Sequence, residues 1–163
     1  MSETAALRDA ALARKTLPGR YDLLHLMAFH RALFKDTFRW AGKLRTVEME
    51  KPGARFATAR FLHQAGTDLL APLTERLQPG LKRDVVVREV THFLGGVNHL
   101  HPFREGNGRT QRAFFRQVVA AAGWRLDWTR LNRDVNIDAS RASVNGDDKP
   151  LRAMLDELIQ DRA

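Results

Sequence analysis

A chain of 163 residues, 44% hydrophobic and 28% charged, has the size and balance of one globular domain with a real core. No apolar run reaches the roughly 20 residues that a membrane-spanning helix needs. The opening MSETAALRDAALARK alternates charge with alanine where a signal peptide would have an apolar core. With no cysteine, disulfides and thiolate chemistry are excluded. A net charge of +8 suits nucleic acid, polyphosphate or an acidic protein as partner; the arginines are spread along the chain without a basic tail, so charge does not choose among them.

In chain order the pattern is mostly helical, with no repeat or linker to divide it. Leu23, Leu26, Met27, His30, Leu33 and Phe34 form the apolar face of a first helix. A second is expected over about 59–77, with Phe61, Leu62, Ala65, Leu69, Leu73 and Leu77 inward, a kink or restart at Pro72 and a stop at Pro79-Gly80. Val86, Val90, Phe93, Val97 and Leu100 alternate steps of four and three, which gives one continuous stripe. Phe114, Phe115, Val118, Val119 and Ala122 mark a deeply buried helix with Gly123 as its cap. Asp148 and Pro150 start a last helix with Leu151, Met154, Leu155, Leu158 and Ile159 inward. Between the first two helices, 44-LRTVEMEKPGARF-56 alternates and holds a Pro-Gly turn, so it is read as a short β-hairpin. The expected fold class is all-α: a helical bundle with one short β-hairpin.

The chemistry concentrates in 101-HPFREGNGRTQR-112, a loop feeding a helix N-terminus. Gly106 and Gly108 let backbone N–H groups face a ligand without a Cβ in the way, and such a nest binds anions. Arg109 and Arg112 lie one turn apart on one face of the following helix, so amides and arginines together describe a polyphosphate cradle. Glu105 beside phosphate calls for a cation, and Mg²⁺ takes one or two carboxylates plus substrate phosphates. His101 is a candidate base, since the reference pKa of histidine, about 6.5, suits proton transfer at neutral pH. Phe103 is expected to be buried, anchoring the loop. His30 and His92 are expected in the core. Arg116 is assigned to solvent or a salt bridge. His99 and His101 make an HxH pair with no acidic or thiolate set to complete a zinc site.

These residues resemble the signature of Fic domains, HPFx[D/E]GNGRxxR, without a departure. FHRALFKDTFRWAGKLRT and GWRLDWTRL, on either side of the motif, are similar to further parts of the family. The resemblance runs from about Tyr21 to the C-terminus, leaving 1–20 as an N-terminal helical extension ahead of a Fic domain over 21–163. It implies the Fic-fold helical bundle and protein AMPylation: transfer of AMP from ATP to a hydroxyl of a target protein. By that resemblance His101 deprotonates the hydroxyl and Glu105 holds Mg²⁺. Gly106, Asn107 and Gly108 bind phosphate oxygens, Arg109 the β-phosphate and Arg112 the terminal phosphate. The hairpin becomes a flap whose Thr46, Val47, Glu48, Met49 and Glu50 dock the target as an added strand.

Fic enzymes are commonly inhibited by a [S/T]xxxE[G/N] helix whose glutamate pairs with the second motif arginine, here Arg112. Only Thr46 is followed by a glutamate at the right spacing, and Lys51 stands where Gly or Asn is required. The expectation is therefore an antitoxin supplying the glutamate in trans, as in bacterial Fic toxin–antitoxin pairs. The resemblance then implies action in the bacterial cytoplasm on type II topoisomerases, DNA gyrase and topoisomerase IV. The alternatives are transfer of UMP, phosphocholine or phosphate, the catalytic domain of a secreted effector, or a non-enzymatic basic module. A nucleic-acid module would lose affinity steeply with salt and ignore Mg-ATP.

Overall fold

The computed structural model describes residues 3–162; residues 1 and 2 of the expected N-terminal extension, and residue 163, lie outside the described residues. The elements are α1 (Glu3–Arg14), α2 (Leu23–Phe34), β1 (Glu50–Lys51), β2 (Ala54–Arg55), α3 (Leu62–Leu70), α4 (Leu73–Arg76) and α5 (Arg83–Leu100). They continue as α6 (Asn107–Ala121), β3 (Trp124–Leu126), α7 (Arg133–Val144), α8 (Lys149–Leu158) and β4 (Ile159–Asp161).

Helix α2 begins where Asp22 accepts a hydrogen bond from the His25 amide at 2.9 Å, an N-cap that satisfies one orphan donor of the first turn. Its buried face then falls at helical spacing: Leu23, Leu26, Phe29, His30, Leu33 and Phe34. Helix α5 is the organising element, packing on α3, α6, α7 and α8. Its Val86, Val90, Phe93, Val97 and Leu100 are all buried, and burying each such side chain contributes about 1.5–3 kcal/mol. The phenylalanine pair Phe114 and Phe115 on α6 is fully enclosed.

Several expectations are corrected. The segment over 59–77 restarts at Pro72 as expected, α3 ending at Leu70 and α4 resuming at Leu73 because Pro72 has no N–H to continue the ladder, but its α-helix begins only at Leu62. The inward residues are Leu62, Gly66, Leu70, Leu73 and Leu77, while Phe61 is 53% exposed and Ala65 and Leu69 are half-buried. The hairpin is shorter than 44–56, with strands only at 50–51 and 54–55 around Gly53, whose φ of +76° suits the turn. His92 is exposed. Ile159 leaves the last helix for β4, which pairs antiparallel with β3 in the register Trp124↔Asp161, Arg125↔Gln160, Leu126↔Ile159. Helix α7 also goes beyond the elements read from the sequence.

Helix α1 packs on α2 and α6 with Ala5 fully buried. Arg116 of α6 pairs with Asp9 of α1 at 3.0 Å, and Arg8 pairs with Asp36. Gln117 clamps the connection behind α1, its amide donating to Leu17 O and its Oε1 accepting from Leu17 N, each at 2.8 Å.

Candidate active site

The motif loop is the joint between α5 and α6. Its first residue, His101, is the C-cap of α5 in the left-handed region at φ +46°, where a non-glycine residue costs about 1–2 kcal/mol. The surroundings hold it there. Arg45, 2% exposed, donates from Nε to His101 O at 2.7 Å and from Nη2 to Leu100 O at 2.9 Å. The ring of His101 stacks on Phe56 at 3.9 Å and 11°.

At the other end Gly106 is the N-cap of α6 at φ +83°. A Cβ there would sit 2.4 Å from the Phe34 ring, so glycine is needed both for conformation and for space. Between these ends Asn107 closes the loop on itself. Its Oδ1 accepts from Phe103 N at 2.9 Å and its Nδ2 donates to Phe103 O at 2.6 Å. Phe103 is buried and stacks on His30 at 4.0 Å. His30 Nδ1 accepts from Gly42 N at 2.8 Å, which leaves Nε2 as the donor to Glu105 O at 2.9 Å. Burial lowers the His30 pKa, outweighing that backbone hydrogen bond, and keeps the neutral tautomer in place.

His101 is held unprotonated. Burial, then the charges of Lys51 and Arg45, lower its pKa from 6.5 to about 4, so at neutral pH the imidazole can accept a proton. Arg112 is half-buried; burial and the neighbouring Arg109 push its pKa down while Asp9 pulls the other way. A guanidinium stays charged throughout the working range. Two cations one turn apart with one acidic neighbour need an anion to neutralise them.

A cavity of about 300 Å³ opens here, at the lower end of ligand-sized pockets. His101, Asn107, Gly108 and Arg112 meet on its wall, and the flap contributes Lys51, Pro52, Ala54 and Phe56. Beyond the motif it runs past Asn98 of α5 and Gln111 of α6 to Asn136 and Ser140 of α7. Phe103, Glu105, Gly106 and Arg109 do not line it; nor do Thr46, Val47, Glu48, Met49 and Glu50, which precede the hairpin turn or begin β1. Glu105 is exposed. Nη1 of Arg109 is buried without a hydrogen-bond partner among the described residues. Glu48 accepts from Ala59 N at 2.8 Å. Among the described residues no group of three or more His, Cys, Asp or Glu could hold a metal ion.

Sequence reasoning missed Arg45, Phe56, Gln111 and the whole α7 wall. Gln111 was within reach: it sits three and four residues after Gly108 and Asn107, on the same helical face. It is 7% exposed, and its amide makes no hydrogen bond among the described residues. Arg45 gave no signal, since one arginine in a charged loop looks like any other.

Helical core, short hairpin and the start of α6 thus meet at one cavity beside a buried histidine and an arginine. The chain belongs to the Fic/DOC family, whose model matches residues 20–119. It is 35% identical over 155 residues to the protein adenylyltransferase VbhT of Bartonella schoenbuchensis, covering 94% of this chain and 32% of that one. It is 34% identical to the probable protein adenylyltransferase Fic of Salmonella typhimurium, covering 98% and 79%. The chain thus spans about a third of VbhT but most of the Salmonella protein. The type IV secretion system effector protein BepA superposes with a TM-score of 0.87 at 33% identity, covering 96% of this chain and 58% of BepA. A Bartonella tribocorum BepC structure with bound AMPPNP shares the fold, with a TM-score of 0.89 at 22% identity over 98% and 84%.

Proposed function

We propose that this chain is a protein adenylyltransferase that moves AMP from ATP to a hydroxyl of a target protein. The observation that carries the reading is the meeting, in one cavity, of a buried unprotonated imidazole with the start of α6 and Arg112. In this reading the target's hydroxyl oxygen attacks the α-phosphorus of ATP and its proton passes to His101. The bond from the α-phosphorus to the bridging oxygen breaks, and pyrophosphate leaves. The Gly106 and Gly108 amides and the free Nδ2 hydrogen of Asn107 face the charge that develops. Arg109, with its unpartnered Nη1, takes the β-phosphate and Arg112 the terminal one. The Asn and Gln side chains further along hold the nucleoside.

Magnesium fits Glu105, whose exposed carboxylate has no ion pair or hydrogen bond among the described residues. One carboxylate with substrate phosphates is a common magnesium environment, and the ion would supply neutralisation of phosphate charge. Among the described residues strand β1 pairs with β2 alone, so its other edge can accept a target segment, with Thr46 to Glu50 forming the approach.

The absence of a [S/T]xxxE[G/N] segment in the sequence supports restraint by a separate antitoxin. Bacterial cytoplasm, with DNA gyrase and topoisomerase IV as targets, follows from that toxin reading. The likeness to the type IV secretion system effector protein BepA, at 33% identity, favours a second reading, the catalytic domain of a translocated effector. The test is incubation with Mg-ATP and either bacterial lysate or purified gyrase and topoisomerase IV, followed by mass spectrometry. AMP on a Ser, Thr or Tyr, absent with Arg112→Ala, is expected. Adducts from UTP or CDP-choline, with none from ATP, would overturn AMP transfer. Adducts on host-cell protein alone would select the effector reading.

A further inference from the structure

The buried cation Arg45 has no carboxylate within ion-pair distance among the described residues. It is surrounded by backbone carbonyls. Besides the carbonyls of Leu100 and His101, it donates from Nη1 to Val47 O at 2.8 Å and from Nη2 to Ala57 O at 2.5 Å. Its own amide donates to Pro102 O at 2.9 Å, and Ala57 N donates to His99 O at 3.0 Å.

Two of those acceptors are C-terminal carbonyls of α5, which lack intrahelical partners and carry the negative end of the helix dipole. That is the compensation a buried guanidinium needs in place of an acid. The other two belong to the chain entering the flap, at Val47, and the chain leaving it, at Ala57. One planar group therefore fixes both legs of the flap and the backbone of the histidine.

We infer that Arg45 is a positioning residue that locks the target-docking flap and the His101 backbone into one unit, so that an incoming hydroxyl and its base arrive in register. This rests on His101 being the base. Arg45 does not line the nucleotide cavity, which separates its role from nucleotide binding. The charged groups facing the His101 ring are Lys51 from the flap, Arg45 from the flap's approach and Arg112 across the cavity. Lysine at position 45 would keep the charge but lose the planar fork that reaches four carbonyls.

The test compares wild type, Arg45→Lys, Arg45→Met and His101→Ala by amide hydrogen exchange, ATP binding and transfer from α-labelled ATP to lysate protein. In Arg45→Lys the Ala57 amide should lose protection while α6 amides keep theirs, with ATP affinity within about twofold. Transfer should fall by about tenfold to a hundredfold, the scale of a misplacement near one ångström. The His101 titration, followed by NMR, should stay low in Arg45→Lys and move up in Arg45→Met. Unchanged Ala57 protection, an equal loss of ATP affinity and transfer, or unfolding of both variants would overturn the assignment. If His101→Ala still transfers while Ala57 protection falls as expected, the base reading fails and the lock itself stands.

Discussion

At the scale of single residues, His101 has been moved away from the pH at which a free histidine titrates. Its lowered pKa, about 4 against an ordinary 6.5, has two consequences of definite sign. The unfolded chain binds a proton more readily than the folded one between those values, so stability falls as pH drops from about 6.5 to about 4 and is flat below. Activity should keep an unprotonated base well below neutrality. The acid limb of the transfer rate is predicted to lie nearer pH 4 than 6.5, measured as rate against pH at saturating ATP. A limb near 6.5 would show that the imidazole is solvated during turnover. The motif histidine was legible in the sequence because its neighbours are so specific. Its lowered pKa was not, because it comes first from burial in the folded chain and then from Lys51 and Arg45, dozens of residues away.

Among the elements, the joint between α5 and α6 is built to tolerate little. Gly106 combines φ +83° with a Phe34 ring where a Cβ would go. Gly106→Ala should therefore lower stability by about 1–3 kcal/mol through crowding, together with the left-handed penalty of about 1–2 kcal/mol. A fall in the denaturation midpoint, with loss of transfer, checks this; a midpoint equal to wild type would mean that Phe34 and the loop relax freely. Helices α5, α6 and α8 were legible because each has a wide buried face that imposes its period. Helix α7 was not: only Ala139 and Ser143 are buried, and the flank that faces the cavity mixes Asn136, Ser140 and Arg141 with Ile137 and Val144, so no apolar period stands out. Strand β4 was hidden because Ile159 follows Leu155 at helical spacing. The hairpin came out short because its legs are held by an arginine side chain in place of a strand ladder.

In the whole molecule, α1 and the connection behind it are tied to α6 by the Asp9–Arg116 pair and the Gln117 clamp on Leu17, although the family's model begins only at residue 20. In the proposed reaction this one domain transfers AMP and His101 takes the proton. The most direct measurement is transfer from ATP labelled at the α- or the γ-phosphate, with wild type and His101→Ala side by side in Mg²⁺. Label should reach protein only from the α position and fall by about 10²–10⁴-fold in His101→Ala, the usual contribution of a positioned base. Label arriving from the γ position would rule out AMP transfer, and undiminished transfer by His101→Ala would rule out this histidine as the base.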